Sequence, residues 1–305
     1  MDEKIKSVEK YNLWNSNDIF VGYVRSTYIN KIEDYVGNRL VKVLVGQRRV
    51  GKSYIMRQLA KNLVLKGVRP ENILMINKEF ESYSFIETHK DLDMFISAYE
   101  EKFNPNGRVY IFIDEIQEIE GWEKMVNSYS QDYSKEYELF ISGSNSKMLS
   151  SELSTLLSGR YVEFKIFPFS YSEFCDVNNV AGSKQSYLSY MQTGGLPELV
   201  NLNGDETKRN YVSALKDTIL LKDIIHRHQI KDVRLLEDIF VYLVNNASNL
   251  ISITSITNWF KSKGRKTSYD TIANYIEYIE NAYLIHKTER YNIKGKEIVS
   301  GNYKF

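Results

Sequence analysis

The chain has few of the residues that crosslink proteins or hold transition metals. Its 305 residues include one cysteine, Cys175, and four histidines. A single cysteine excludes a disulfide within the chain and a zinc site built from several cysteines. The close pair of histidines, at positions 226 and 228, would point to different faces of a helix. The composition therefore gives no support to a disulfide-stabilised protein or to a Cys/His metal centre.

Excess charge of one sign and long apolar segments are also missing. The chain has 40 Lys and Arg against 39 Asp and Glu, a net charge of +1, so a surface for nucleic acid would have to be local. No segment has the roughly 18 consecutive apolar residues of a membrane helix, and residues 1–4 lack the apolar core of a signal peptide. We therefore expect a cytoplasmic protein with no membrane contact and with length for about two domains.

The most informative segment present is a glycine-containing loop. Residues 46–53 read GQRRVGKS and have the spacing G-x-x-x-x-G-K-[ST]. The apolar run 40–45 before the loop predicts a buried strand, and residues 54–65 after it predict a helix. Backbone N–H groups of such a loop and of the helix start can surround phosphate oxygens. The predicted phosphate-binding residues are Gly46, Gln47, Arg48, Arg49, Val50, Gly51, Lys52, Ser53 and Tyr54.

A second apolar run, 109–113, predicts another buried strand, and two acids follow it. Ligands bind above the carboxyl ends of parallel strands, so we expect Asp114 and Glu115 to lie near the loop. There Lys52 would contact the β- and γ-phosphates of a nucleotide, while Ser53 and Asp114 would bind Mg²⁺. Glu115 would orient the attacking water, which favours hydrolysis over transfer to a hydroxyl group. The alternative is an acidic turn after a buried strand.

Polar side chains also end two neighbouring predicted strands. Ser144 or Asn145 follows the strand at 137–142 and could sense the γ-phosphate or position water, or could belong to a turn chosen for its backbone. Asn77 ends the strand at 72–77. It could hydrogen-bond Glu115 and keep it inactive until a partner binds, or it could cap the strand.

Arg160 precedes the predicted strand 161–166 and completes the candidate catalytic set. An arginine finger, supplied by the same chain or by a neighbouring copy in a homo-oligomer, stabilises the charge that develops during phosphoryl transfer. A plain surface arginine is the alternative. The candidate catalytic residues are Glu115, Lys52, Arg160 and Asn145.

Strands alternate with helices as far as residue 168 and are apolar on both faces, which indicates an α/β fold with a parallel sheet covered on both sides. Beyond that residue the pattern is mostly helical. Near the end, a helix at 255–261, a turn at 262–266, a helix at 268–283 and a hairpin are typical of a winged helix.

The tail carries a local excess of positive charge. Residues 255–302 hold eight Lys and Arg against five Asp and Glu, and four of the cations fall at 261–266. Phosphate contacts to double-stranded DNA need such clusters. Glu277 and Glu280 on the second helix would repel a DNA backbone, and winged helices also act as lids and protein-docking modules. DNA is therefore one candidate partner.

In this order the motifs resemble those of the AAA+-like archaeal ATPases of bacteria and archaea. The resemblance rests on seven segments: 45–53, 112–117, 141–146, 157–160, 167–174, 194–198 and 222–225. It implies a P-loop NTPase core of the additional-strand type, a helical lid and a winged helix, with ATP and Mg²⁺ as ligands. Members usually continue past a strand like 303–305 into a nuclease-like domain, so we expect a truncation there and assign no nuclease function.

The expected organisation is an N-terminal extension at 1–38, an ATPase core at 39–168, a helical lid at 169–230 and a winged helix at 231–305. The expected function is that of an ATP-hydrolysing, Mg²⁺-dependent switch or motor acting with DNA or a protein partner. An ATP-gated DNA-binding regulator with negligible turnover is the alternative. The acid pair and the winged-helix tail argue against a third hypothesis, a small-molecule kinase.

Overall fold

A computed structural model describes residues 1–15, 19–144, 157, 159–289 and 302–305. The chain divides into two compact units, Met1–Lys208 and Arg209–Phe305. Within the described residues, no helix is both long and apolar enough to cross a membrane.

A parallel sheet of five strands forms the centre of the first unit. Its strands are β1 (Val41–Val45), β2 (Ile73–Asn77), β3 (Val109–Asp114), β4 (Tyr137–Gly143) and β5 (Tyr161–Lys165). They are arranged in the order β2-β3-β4-β1-β5. The strand β4 therefore lies between β1 and β3, which confirms the predicted additional-strand α/β fold. All residues of β1, β3 and β4 are buried, which explains why these strands are nearly continuous apolar runs.

Helices cover this sheet. They are α1 (Asp2–Val8), α2 (Ser26–Glu33), α3 (Lys52–Leu65), α4 (His89–Phe103), α5 (Trp122–Gln131), α6 (Tyr171–Asn178) and α7 (Lys184–Thr193). Side chains of α2 and α3 pack with Leu44, Phe112 and Phe140 of the sheet in one apolar cluster. Capping boxes begin α4 at Thr88 and α6 at Ser170, where the side-chain oxygen accepts from the third helical N–H. The start of α3 has no side-chain cap in the described part of the chain and directly follows the loop after β1, at the carboxyl edge of the sheet.

The chain enters the second unit within α8 (Asp205–Thr218), which continues as a π-helical segment, Ile219–His226. The elements that follow are α9 (Val233–Asn245), β6 (Ile251–Ser252), α10 (Ile253–Ser262), α11 (Tyr269–Asn281), β7 (Thr288–Glu289) and β8 (Asn302–Lys304). The three strands form an antiparallel sheet in the order β6-β8-β7. Ile272, Ile276 and Ile279 of α11 are buried, as their spacing predicts.

Two predicted elements of the tail differ from the structure or lie outside it. The helix predicted to end at Tyr283 ends at Asn281, and Tyr283 has a left-handed φ of 57° that a helix does not allow. The turn of the predicted hairpin, at 293–296, lies outside the described residues.

Candidate phosphate-binding site

The loop between β1 and α3 has a backbone that glycine makes possible at two positions. Gly46 has a φ of 153°, and a Cβ on this residue would lie 2.2 Å from the carbonyl oxygen of Ile166. Gly51 has a φ of 98° and precedes the first residue of α3. Arg49, with a φ of 66°, is left-handed as well. Such alternation turns successive N–H groups toward one point, and the first N–H groups of α3 add to them. The loop therefore has the backbone angles that are typical of an anion-binding cradle.

Lys52 lies at this cradle and is almost fully buried. Its Nζ donates to the carbonyl oxygens of Gly46, at 2.9 Å, and of Gln47, at 3.1 Å. The same Nζ lies 3.9 Å from Oε1 of Glu115. Burial lowers the pKa of Lys52, and the charges of Glu115 and Asp114 raise it in part. The loop motif and the acid pair are thus joined through one ammonium group.

Asp114 ends β3 and is buried. Its carboxylate accepts from the Ser142 hydroxyl, from Nδ2 of Asn77 at 3.0 Å, and from the Ser53 hydroxyl. Burial raises the pKa of Asp114 and the Glu115 charge raises it further, whereas the hydrogen bonds from Ser142 and Ser53 lower it in part. The two residues predicted to bind Mg²⁺, Ser53 and Asp114, therefore lie in contact.

These two residues fit a magnesium ion that also contacts a nucleotide. The described residues contain no group of three or more His, Cys, Asp or Glu side chains that could hold a metal by themselves. Magnesium is usually bound through one or two carboxylates together with substrate phosphates and waters. A hydroxyl and a carboxylate in contact, at the end of the loop, are the donor set that this mode of binding requires.

Glu115 turns away from the end of β3, because it has a left-handed φ of 53°. Nε2 of Gln117 donates to its carboxylate, and its own N–H donates to the Ser142 hydroxyl at 3.3 Å. The idea that Asn77 hydrogen-bonds Glu115 is wrong. Asn77 pairs in register with Asp114, binds that carboxylate, and accepts from the Glu79 N–H in the manner of a strand cap. Gln117 is the partner of Glu115 that the sequence patterns did not indicate.

The remaining candidate residues, Ser144, Asn145 and Arg160, differ in how the structure places them. The Ser144 side chain is buried, and its hydroxyl has no hydrogen-bond partner among the residues that the structure describes. Asn145 lies outside those residues. Arg160 is exposed, and its Nη1 donates to Oδ1 of Asn127 at 3.3 Å.

Arg160 lies at the wrong edge of the sheet to act on its own chain. Its carbonyl oxygen accepts from the N–H of Val41, the first residue of β1. The loop begins after the last residue, Val45, about 13 Å further along at the rise of a strand. An arginine side chain does not span that distance together with the thickness of the sheet's edge. The geometry therefore argues against Arg160 as an arginine finger for its own chain. Its role as an arginine finger for a neighbouring copy stays a prediction.

Other loop residues also have defined surroundings. Val50 is fully buried, and Nη1 of Arg48 lies 3.6 Å from Oε1 of Glu79. Tyr54 is exposed, and its ring lies edge-on to Phe20 at 6.0 Å between centroids. A cavity of about 210 Å³ opens beside Ser53 and Asp114. Space for a ligand therefore adjoins the predicted metal ligands.

Family models match both parts of the chain. A model described as an AAA domain matches residues 38–175, which include the sheet, the loop and the acid pair. A model described as a domain of unknown function matches residues 184–305.

Two solved structures resemble the chain in outline. One is the Aeropyrum pernix ORC1 protein in complex with DNA, with 12% identity, a TM-score of 0.43, and coverage of 93% of this chain and 89% of that one. The other is a Thermotoga maritima RuvB, with 14% identity, a TM-score of 0.42, and coverage of 92% and 89%.

Curated relatives are closer in sequence. An uncharacterized protein of Haemophilus influenzae is 35% identical over 285 residues, which are 92% of this chain and 70% of that protein. An uncharacterized protein of Methanocaldococcus jannaschii is 30% identical over 269 residues, which are 85% of this chain and 58% of that protein. The chain thus spans about two thirds of these relatives' lengths. By the relationship to the Haemophilus protein and the AAA-domain match over the loop and acid pair, this chain belongs to a family of AAA+-like P-loop ATPases.

Proposed function

We propose that this chain binds ATP with Mg²⁺ at residues 46–54 and hydrolyses it. One observation carries the proposal. Lys52, Asp114 and Glu115 are all buried at the carboxyl edge of the sheet, with 3.9 Å between Nζ of Lys52 and Oε1 of Glu115. Burying one cation and two carboxylates costs free energy of folding, so we expect these groups to have a function. Binding Mg²⁺ and phosphate at the adjacent loop is that function in our proposal.

Each residue has a distinct part in this mechanism. The N–H groups of the loop bind phosphate oxygens, and Lys52 moves its donors from the carbonyls of Gly46 and Gln47 to the β- and γ-phosphates. Ser53 and Asp114 hold Mg²⁺, which neutralises charge on the phosphates. Glu115 orients the attacking water and accepts its proton. Gln117 keeps the Glu115 carboxylate in place.

The test is the change Glu115→Gln. We expect ATP binding within about threefold of the wild type and turnover lower by about 10²–10⁴-fold, the usual contribution of a positioned general base. The amide should be accommodated, because Oε1 of Gln117 is buried without a described partner and can accept from it. Glu118→Gln makes the same chemical change on an exposed residue three positions on and should leave turnover unchanged. Normal hydrolysis by Glu115→Gln would show that another group positions the water. Lys52→Ala should abolish ATP binding.

Two alternative functions would use the same phosphate-binding loop, and a measurement of ATP turnover distinguishes them from hydrolysis. An ATP-gated regulator would bind ATP with the same residues but release no phosphate in a single-turnover experiment. A small-molecule kinase would transfer the γ-phosphoryl group to an added acceptor and would release no free phosphate. Phosphate release by the chain alone contradicts both.

For the second unit, we propose a winged helix at 231–305 that contacts double-stranded DNA, preceded by a helical lid at 169–230. The order α9, β6, α10, α11, β7, β8 and the antiparallel order β6-β8-β7 support the winged helix. Lys261, Lys263 and Lys266 are exposed at the end of α10 and in the turn after it, where they could contact phosphates, whereas Arg265 pairs with Asp238.

Salt dependence tests this DNA surface. Binding to duplex DNA should weaken steeply between about 50 and 200 mM salt. Removing two phosphate contacts with Lys261→Ala and Lys266→Ala should reduce the log–log salt slope by about two. The same change at the exposed Lys90 and Lys184 of the first unit is the control and should leave the slope unchanged. No detectable DNA binding at low salt contradicts the assignment.

We further propose that Arg160 acts in a homo-oligomer, on the site of a neighbouring copy. Mixing inactive Arg160→Ala and inactive Glu115→Gln chains would then restore part of the turnover, because some interfaces combine an intact Glu115 with an intact Arg160. Mixtures without activity contradict a role between copies.

A further inference from the structure

Arg25 is a buried cation that no motif of the chain includes. It immediately precedes α2 and its side chain is only 3% exposed. Five hydrogen bonds occupy its guanidinium group, two to a carboxylate and three to backbone carbonyl oxygens. Its group also lies over the rings of Tyr28, at 4.5 Å, and Phe169, at 5.1 Å. A side chain so completely enclosed has one conformation, so the groups that it binds are held in place.

The carboxylate belongs to Glu173, in the first turn of α6. Nε and Nη2 of Arg25 donate to its two oxygens at 2.7 and 2.9 Å, a bidentate pair. The Ser170 N–H donates to the same carboxylate at 2.8 Å as part of the capping box. The start of α6 is therefore tied to Arg25.

One of the three carbonyls belongs to the phosphate-binding loop. Nη1 of Arg25 donates to the oxygen of Val50 at 3.1 Å. Val50 lies between Arg49 and Gly51, both of which have left-handed φ angles. When the N–H groups of a loop converge on an anion, its carbonyl groups point outward and need other partners. Arg25 is that partner for the carbonyl group of Val50, a fully buried residue.

The other two carbonyls come from the segment after β5. Nη1 donates to Phe167 at 2.8 Å and Nη2 donates to Pro168 at 3.3 Å. The preceding residue, Ile166, is the one whose carbonyl oxygen leaves no room for a Cβ on Gly46. Gly46 at the start of the loop thus lies against the segment that Arg25 binds, and the carbonyl of Val50 near its end binds Arg25 directly.

Gln58 of α3 fixes the backbone of Arg25 in turn. Its Oε1 accepts from the Arg25 N–H at 3.2 Å, and its Nε2 donates to the carbonyls of Val21 and Tyr23 at 2.8 and 2.7 Å. The segment before α2 is therefore anchored to the helix that begins at Lys52. Arg25, which contacts the loop, is therefore itself held in place by the helix that follows the loop.

We infer that Arg25 is a positioning residue for nucleotide binding, which holds the loop in its phosphate-binding conformation through the carbonyl of Val50. This inference rests on the proposed function. Without Arg25, the loop would sample conformations in which its N–H groups no longer converge. Affinity falls in proportion to the competent fraction, so a loop that is competent in one molecule in ten binds about tenfold more weakly.

The experiment compares Arg25→Met with a matched control at the other edge of the same sheet. Lys42 of β1 and Glu138 of β4 form a fully buried ion pair, with Nζ 2.5 Å from Oε1, remote from the loop. Arg25→Met removes the cation that pairs with Glu173, and Lys42→Met removes the nearest cation to Glu138, so both changes should lower the unfolding temperature. We expect Arg25→Met to raise the Kd for Mg·ATP by about tenfold or more, with kcat at saturating ATP within threefold of the wild type. Lys42→Met should leave the Kd within threefold.

Two further variants separate the loop contact from the ion pair. Glu173→Gln removes the charge pairing but leaves Arg25 beside Val50, so its Kd should stay near that of the wild type. Arg25→Lys keeps a buried charge but cannot make the bidentate pair and the carbonyl contacts together, so its Kd should rise. Arg25→Lys also tests the inference if Arg25→Met does not fold.

The outcomes are distinct. An unchanged Kd in both Arg25 variants, or an equal rise in Lys42→Met, overturns the inference while wild-type ATP binding upholds the proposed function. A wild-type chain that binds no ATP overturns the proposed function and this inference with it.

Discussion

Replacing Asp114 with asparagine should make the ligand-free protein more stable while removing its metal-dependent activity. Burial raises the pKa of Asp114, and the Glu115 charge adds to this effect, so the ionised form costs free energy in the folded state. Asparagine has nearly the same shape and no charge. Its Oδ1 can accept from Asn77, and its Nδ2 can donate to the Ser142 hydroxyl, which also accepts hydrogen bonds. The packing therefore stays and the cost of the charge is removed.

The expected gain is moderate and depends on pH. Stabilising changes of single residues usually contribute about 0.5–2 kcal/mol. The first unit has 208 residues, and for this size 1 kcal/mol shifts the unfolding temperature by about 2–4 °C, so a rise of about 1–8 °C is expected. The unfolded carboxyl ionises near pH 4, whereas folded Asp114 keeps its proton to a higher pH. Wild-type stability therefore falls as the pH rises through the folded pKa, and the advantage of Asp114→Asn grows over the same range.

The assay is thermal unfolding in EDTA without nucleotide, between about pH 4 and pH 7. Trp14 and Trp122 lie in the first unit and Trp259 in the second. A Trp259→Phe background thus makes tryptophan fluorescence report on the first unit alone. The reasoning is refuted if Asp114→Asn is less stable than its parent at pH 7, or if the difference does not change with pH.

Glu173→Gln is a control of opposite sign in the same unit. Burial alone would raise the pKa of Glu173, but hydrogen bonds from Arg25 and from the Ser170 backbone outweigh it and lower the pKa. The ionised form of Glu173 therefore supports the fold above its unfolded pKa, and this support is lost as the pH falls through the folded pKa. Glu173→Gln should be destabilising at pH 7, and the loss should shrink in acid.

Two further predictions concern the loop and the end of β4. Gly46→Ala should weaken ATP binding by at least about tenfold, since its Cβ would meet the Ile166 carbonyl at 2.2 Å. Gly51→Ala strains a backbone with a φ of 98° but meets no atom within 4 Å, so its effect should be smaller, and equal Kd values for both variants would contradict this reasoning. Ser144→Ala should leave the unfolding temperature nearly unchanged, because no hydrogen bond among the described residues is lost, but should slow turnover about tenfold if the hydroxyl contacts the reacting groups. An unchanged kcat would remove Ser144 from the site.

The sheet and the loop could be predicted from the sequence because their signals are local. Strands β1 to β4 are almost entirely buried and β5 is partly buried, and the five predicted strands agree with the observed ones to within about one residue at each end. Gly46 and Gly51 mark the loop because few other residues accept their backbone angles and close contacts. The acids at 114 and 115 follow a strand directly, so the parallel sheet brings them to the loop without further information.

The hydrogen-bond partners of the site's side chains are harder to predict from the sequence, because they depend on backbone details that a sequence pattern does not contain. Asn77 and Asp114 are register partners in adjacent strands, and this register is set by packing along the whole sheet. The left-handed angle at Glu115 turns its side chain away from Asn77 and toward Lys52, and no residue type at that position announces it. For Arg160, the sequence itself argues against the same-chain alternative. A residue just before a parallel strand lies at the amino edge, opposite the ligand edge.

Arg25 shows a different limit. Its carboxylate partner is 148 positions away in the chain, and its other acceptors are backbone carbonyls, which have no sequence signature. The segment before α2 was predicted to lie outside the ATPase core, in the N-terminal extension. Arg25 of that segment binds the carbonyl of Val50 and also the carbonyls of Phe167 and Pro168 after β5, so the loop depends on a residue that the motif does not include.

The site in the ligand-free protein carries several costs at once. The pKa of Lys52 is lowered and that of Asp114 is raised, which means that each charge is less stable there than in water. Arg49 and Glu115 hold left-handed backbone angles, which cost about 1–3 kcal/mol each in residues other than glycine. Supporting contacts such as the Arg25–Glu173 pair must offset these costs for the site to stay formed. A nucleotide with Mg²⁺ would add phosphate oxygens beside Lys52 and a cation beside Asp114. Binding should therefore stabilise the first unit by more than the same ligand stabilises Asp114→Asn, in which one of these costs has already been removed.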